Sequence, residues 1–227
     1  VIAANYVKNT PNTIFMTSSA FWARPNLYPN DSWNVNDFKA IVPLCNGSFS
    51  ISSGKYKDWS QVPKDKPVTI SISGAGTISH AIALQLAKTY PKLVIVPYKS
   101  TAESLVSTLA GQTDFAISFV GDAEKYTDPD TKNKLHILGV TGSKKAGGYP
   151  TFVSQGLSPL LAKMNTSHNL MIPSSWNDAK AKEVQEILIK AEKPTKDKFD
   201  RFNLCLCGCP SPLKSLFQCW ESLTVIA

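Results

Sequence analysis

The chain has 227 residues, 43% of them hydrophobic and 18% charged, with a formal net charge of +7 at pH 7. That length and apolar content supply a substantial core, which excludes a disordered chain, and no apolar run is long enough to cross a bilayer as a helix. The 24 Lys and Arg are spread along the chain instead of forming a block, which argues against nucleic acid and leaves a mildly basic surface suited to small acids.

In chain order, Val1 to Val7 reads as the end of a helix, turned by Pro11-Asn12 into a strand Thr13-Ile-Phe-Met16. Thr17-Ser18-Ser19 then follows the carboxyl end of that strand, the place where open α/β sheets hold ligands. Phe21-Trp22 and Trp33 form an aromatic patch around the turns at Pro25 and Pro29. A strand is predicted over Phe38 to Leu44, after which Asn46-Gly47 and Ser52-Ser53-Gly54 loosen the chain and mark a first crossover between lobes. Tyr56 to Gln61 is at most a short helix before Pro63.

The stretch Val68-Thr-Ile-Ser-Ile-Ser-Gly-Ala-Gly-Thr-Ile-Ser-His80 organises the centre of the chain. Val68 to Ser73 alternates apolar and hydroxyl residues, as a strand with one buried face does. Gly74 and Gly76 allow a tight turn, and Ile78, Ala81, Ile82 and Leu86 then recur at helical spacing until Pro91. The first amides of a helix lack internal partners and carry the positive end of its dipole, so an anion is welcome there. Ser73, Thr77, Ser79 and His80 add side-chain donors to Gly74, Ala75 and Gly76. A dinucleotide fingerprint would need a third glycine where Ser79 stands and an acid after Leu93-Val-Ile-Val-Pro-Tyr98; a Walker loop would need Gly-Lys-Ser or Gly-Lys-Thr. None of these is present.

A strand at Leu93 to Val96 leads through Pro97-Tyr-Lys-Ser100 into a helix from Thr101 to Ala110, capped by Gly111. Ser100 and Thr101 open a second helix toward the same space. Strands are predicted at Asp114 to Phe119, containing Ser118, and at Leu135 to Val140, followed by Thr141-Gly-Ser-Lys-Lys145. His136 reads as a surface or hydrogen-bonded strand residue. His168 to Pro173 reads as a return strand to the first lobe, and Asp178 to Lys193 as a helix burying Val184, Ile187, Leu188 and Ala191. From Phe199 to Pro210 the periodicity is lost. Alternating strands and helices of this kind specify α/β architecture with mixed or parallel sheets flanked by helices.

Cys45 reads as a small buried apolar residue. Cys205, Cys207, Cys209 and Cys219 lack both the Cys-x-x-Cys spacing and the neighbouring histidine of a zinc site, and an odd total of five argues against a disulfide framework. No metal and no cofactor is implied.

The blocks Ser73-Gly-Ala-Gly-Thr-Ile-Ser-His80, Val96-Pro-Tyr-Lys99, Leu109-Ala-Gly-Gln-Thr-Asp114 and Leu138-Gly-Val-Thr141, in this order, resemble the tripartite tricarboxylate transporter solute receptors, the Bug or TctC-like periplasmic binding proteins. The runs Thr17 to Tyr28 and Trp33 to Phe38 are similar to that family's Thr-Ser-Ser turn, Asn-Pro-x-Leu-Tyr segment and Asp-Phe before a strand. The resemblance implies a two-lobed, type II periplasmic binding-protein fold, a Venus flytrap with an interlobe cleft. Residues 1–52 and 172–227 would build a first, incomplete lobe and 53–171 a second. Relative to the family pattern the first strand and its glycine-rich loop are missing before Val1, Ser100 stands where glycine is usual, and residues 199–227 diverge.

The function so implied is extracytoplasmic binding of a small di- or tricarboxylate-like acid for a membrane transporter, by a monomer that is not an enzyme. Ser18 and Ser19 would come from one lobe, and Ser73 to Thr77, Ser79, His80, Ser100 and Ser118 from the other. The alternatives are an effector-sensing domain of a transcription regulator and a phosphate-binding α/β enzyme domain using His80 as a base.

Overall fold

The computed structural model describes residues 2–22, 29, 34–192 and 204–206. The Asn26-Leu-Tyr28 segment, Trp33, Cys207, Cys209 and Cys219 lie outside them, as does the side chain of Cys205. The chain divides into two compact units, Val1–Asn46 with Thr166–Ala227, and Gly47–Asn165. Both divisions fall earlier than residues 52 and 171, where the sequence reading draws them, because each is fixed by strand pairing.

The first unit contains α1 (Ile2–Lys8), β1 (Phe15–Ser18) and β2 (Phe38–Gly47). The return of the chain adds β8 (Thr166–Pro173), α5 (Asp178–Glu192) and β9 (Leu204–Leu206), and the sheet order is β1-β8-β2-β9. β1 runs antiparallel to β8, with Phe15 opposite Met171 and Ser18 opposite His168. Thr17 and Ser18 therefore lie inside the strand, and Ser19 alone of the Thr-Ser-Ser run follows it. One face of this sheet packs Met171 with Ala4, Val7, Phe21 and Phe38. Phe15 meets Phe21 and Phe38 edge-on at centroid distances of 5.7 and 5.2 Å, the favoured aromatic geometry.

α5 corrects the expected buried face. Ile187 is 58% exposed, whereas Val184, Gln185 and Leu188 are half-buried, and the Gln185 amide donates to the Ile41 carbonyl at 2.7 Å. A glutamine thus anchors the packed face, which hydrophobicity alone does not reveal.

The second unit holds a five-stranded sheet in the order β5-β4-β6-β3-β7. Its strands are β3 (Phe49–Ser53), β4 (Val68–Ile72), β5 (Leu93–Pro97), β6 (Phe115–Phe119) and β7 (His136–Val140). β4 is parallel to β5 and β6, while β3 is antiparallel to β6 and β7. The carboxyl ends of β4, β5, β6 and β7 therefore share one edge. α2 (Ile78–Ala87) connects β4 to β5, α3 (Thr101–Leu109) connects β5 to β6, and the short α4 (Val120–Glu124) follows β6. Such parallel crossovers put helices over the sheet faces and seal the core.

β3 is a second correction, since its Ser52-Ser53 end reads as loosened chain in the sequence. All five of its residues are buried. Two of its three serines are satisfied by backbone groups, Ser50 Oγ donating to the Ser118 carbonyl at 3.2 Å and Ser53 Oγ to the Asp114 carbonyl at 2.7 Å, while Ser52 Oγ is buried with no hydrogen-bond partner among the described residues. Ile51, Ile70, Ile82, Leu86, Leu105 and Phe115 are buried to 1% exposure or less and form the apolar interior. Below it, Ser71 bonds Ser104 (2.6 Å) and Thr108 (3.2 Å), and Thr108 bonds Thr113 (2.8 Å), a hydroxyl network that seats α3 on β4.

Candidate functional site

The carboxyl edge of the second unit's sheet carries the predicted binding residues of that unit. β4 ends at Ile72, and the chain turns through Gly74 (φ 96°) and Gly76 (φ 75°), left-handed conformations that glycine adopts without strain. Thr77 is the N-cap of α2 and its Oγ1 accepts from the His80 amide at 3.4 Å. The same hydroxyl donates to the Gly74 carbonyl at 2.8 Å.

This assignment orders the other protons. Thr77 Oγ1 lies 2.7 Å from Ser79 Oγ, and because its only proton goes to Gly74, Ser79 must donate to it. Ser79 Oγ is in turn 3.3 Å from Ser73 Oγ and accepts from it. A directed relay therefore runs Ser73 to Ser79 to Thr77 to the Gly74 carbonyl. Ser79 is 1% exposed, so it braces the turn from within. The Gly76 amide donates to His80 Nδ1 at 3.2 Å, so in the neutral ring Nε2 carries the proton and is a donor.

With the His80 amide on Thr77 Oγ1 and the Ala81 amide on the Thr77 carbonyl, the Ile78 and Ser79 amides have no partner among the described residues. They are donors at the positive end of a ten-residue helix. Ala75 at the tip of the turn is exposed.

The neighbouring loop repeats the arrangement. The Tyr98 amide donates to the Ile72 carbonyl at 2.8 Å, tying the end of β5 to that of β4. Ser100 is the N-cap of α3, accepting from the Glu103 amide at 3.2 Å, and Glu103 Oε2 accepts from the Lys99 amide at 3.2 Å. Lys99, Lys144 and Lys145 are exposed on the segments leaving β5 and β7 along this edge.

Ser118 and Ser19 have internal partners. Ser118 is 1% exposed, pairs across the sheet with Ser50, and donates to the Phe119 carbonyl at 3.1 Å. Ser18 and Ser19 belong to the first unit, where Ser19 is 2% exposed and donates to Thr166 Oγ1 at 3.2 Å. Asn165 is absent from the sequence-level site. Its Oδ1 accepts from Thr141 Oγ1 at 2.9 Å while Thr141 accepts from the Phe49 amide at 2.9 Å, so the two fasten β7 to the start of β3 at this edge. A partner 24 positions away along the chain carries no local signal.

In the first unit, Cys45 Sγ lies 3.7 Å from His168 Nδ1. Burial raises the Cys45 thiol above its usual range and lowers the His168 imidazole below its own. Both groups are therefore held neutral, unlike the thiolate–imidazolium pair of a cysteine nucleophile. Among the described residues no group of three or more His, Cys, Asp or Glu is placed to hold a metal ion, and no helix is long and apolar enough to cross a membrane.

No protein-family model matches the chain, and no curated protein matches it in sequence. Solved structures do share its fold. A TctC solute-binding protein from Polaromonas superposes with TM-score 0.75 at 16% identity, over 99% of this chain and 81% of that one. A Rhodopseudomonas palustris protein solved with adipate gives 0.80 at 16%, over 99% and 79%. MatC from Rhodopseudomonas palustris, with bound malate, gives 0.74 at 17%, over 99% and 82%. The chain has the mixed α/β fold of the TctC and Bug-type periplasmic binding proteins, the fold its ordered motifs resemble.

Proposed function

We propose that this chain is the ligand-binding part of an extracytoplasmic receptor for a small organic acid, delivering it to a membrane transporter. The observation that carries the reading is the pair of helix openings, α2 after β4 and α3 after β5, at one edge of one sheet. There a carboxylate is held by amides, the Ser100 hydroxyl and the Nε2 proton of His80 without a buried cation, which avoids the desolvation cost of a full charge. Malate and adipate, bound by proteins of the same fold, make linear dicarboxylates the first ligands to try. The reading is of binding and not catalysis, since the loop sets no second acid or base beside His80.

A thermal-shift panel of di- and tricarboxylates tests this. A ligand at 100 times its Kd adds about 2.7 kcal/mol of stability, which is a shift of several degrees in Tm. No shift with any acid in the panel would remove the reading.

A further inference from the structure

The opposite edge of the same sheet carries a different chemistry. Because β4, β5 and β7 are parallel and β3 runs against them, the starts of three strands and the end of the fourth fall on one amino edge. Lysines stand at each of these places. Lys88 and Lys92 precede β5, and Lys64 and Lys66 precede β4. Lys55 and Lys57 follow β3, and Lys132 and Lys134 precede β7.

Five aspartates, Asp58, Asp65, Asp114, Asp128 and Asp130, stand on this edge against the eight lysines, and three of them accept from backbone amides. Asp58 Oδ1 accepts from the Ser60 amide at 2.9 Å, Asp114 Oδ2 from the Thr69 amide at 2.8 Å, and Asp128 Oδ1 from the Asp130 amide at 2.9 Å. Lys55 pairs with Asp114 at 3.1 Å, but no carboxylate among the described residues lies within ion-pairing distance of Lys57, Lys64, Lys66, Lys88 or Lys132. Burial first, and then the charges of Lys134 and Lys57, hold His136 below its usual range. The edge also contains a groove of about 450 Å³ lined by Asp58, Trp59, Val62, Lys64, Thr89 and Tyr90 among others.

We propose that this amino edge is a docking surface for an acidic polypeptide segment, which lays carboxylates along the lysines and places one apolar or aromatic side chain in the Trp59–Tyr90 groove. Five strands about 4.8 Å apart span about 19 Å, the reach of about six extended residues. A bilayer is disfavoured because Trp59 and Tyr90, the aromatic side chains that would anchor in it, are sunk to 8% and 5% exposure. The same burial leaves no stacking platform for bases. A sheltered groove beside unpaired cations fits one anchoring side chain within an acidic sequence.

The probe is a fluorescein-labelled Glu-rich hexapeptide carrying one tryptophan, titrated by anisotropy. Saturable binding should weaken about 10-fold in Lys64→Gln/Lys88→Gln, and about 5-fold in Thr89→Trp, which fills the groove from an exposed position. Thr77→Ala should leave peptide binding unchanged while weakening the acid, so failure here and failure of the acid site are separable. The proposal is overturned if neither lysine nor groove variants change the affinity. It is equally overturned if a tryptophan-free peptide binds as tightly, or if phosphatidylglycerol vesicles or a single-stranded oligonucleotide bind through these lysines and the peptide does not.

Discussion

Thr77 Oγ1 donates to the Gly74 carbonyl at 2.8 Å, closing the turn between β4 and α2 on itself. That bond fixes the direction of every other hydroxyl in the loop, so the turn is braced before any ligand arrives and its free donors are backbone amides and His80 Nε2.

Thr77→Ala should therefore have two separable effects. Loss of the N-cap costs about 1 kcal/mol of stability, read as a lower Tm. Loss of the brace on the Ile78 and Ser79 amides weakens acid binding by about 1 to 2 kcal/mol, or about 5- to 30-fold in Kd by calorimetry. A variant that melts lower but binds a dicarboxylate with unchanged affinity would move the site elsewhere.

Asp114 is a structural carboxylate. It accepts from the Thr69 amide and hydroxyl at 2.8 and 3.0 Å and meets Lys55 at 3.1 Å. Asp114→Ala leaves a half-buried strand amide without its acceptor and should cost about 1 to 3 kcal/mol in denaturant unfolding. Lys55→Ala, which removes only an exposed ion pair, should cost at most about 1 kcal/mol.

Leu105 is 1% exposed and packs with Ala116, Val120, Ala123, Leu135, Ile137 and Val140. Leu105→Ala opens a cavity under α3 and should destabilise by about 2 to 5 kcal/mol. Val106, its neighbour on the helix at 51% exposure, should tolerate Ala within about 0.5 kcal/mol.

Stability should fall on acidification through the histidines. Burial holds His168 below its ordinary 6.5, so near and just below that value the unfolded chain binds a proton that the folded chain does not. The contribution is fully present above pH 6.5 and is lost as pH drops through the window between the unfolded and folded values. Thermal melts from pH 7.5 to 5 should show a smaller loss in His168→Gln than in the parent protein. An unchanged slope would mean that His168 does not titrate differently on folding.

The strand–turn–helix unit at Val68 to Ala87 was legible because its signals are local: a period-two run, two glycines, a capping threonine and a helical period follow one another without interruption. The α/β alternation was legible for the same reason. β3 was not, because serines at Ser50, Ser52 and Ser53 mimic a loop, and the acceptors of Ser50 and Ser53 lie up to 68 positions away. The inward face of α5 was misjudged because Gln185 finds its acceptor at Ile41, 144 positions away.

By itself the sequence determined the donors: which turn holds two glycines, which residues cap helices α2 and α3, and which strands precede them. The tertiary structure alone decided which hydroxyls remain available. Ser19 is bonded to Thr166 and Ser118 packed against Ser50, partners far along the chain, because a hydroxyl's bonding depends on what the fold brings within 3 Å or so of it and not on its neighbours in sequence.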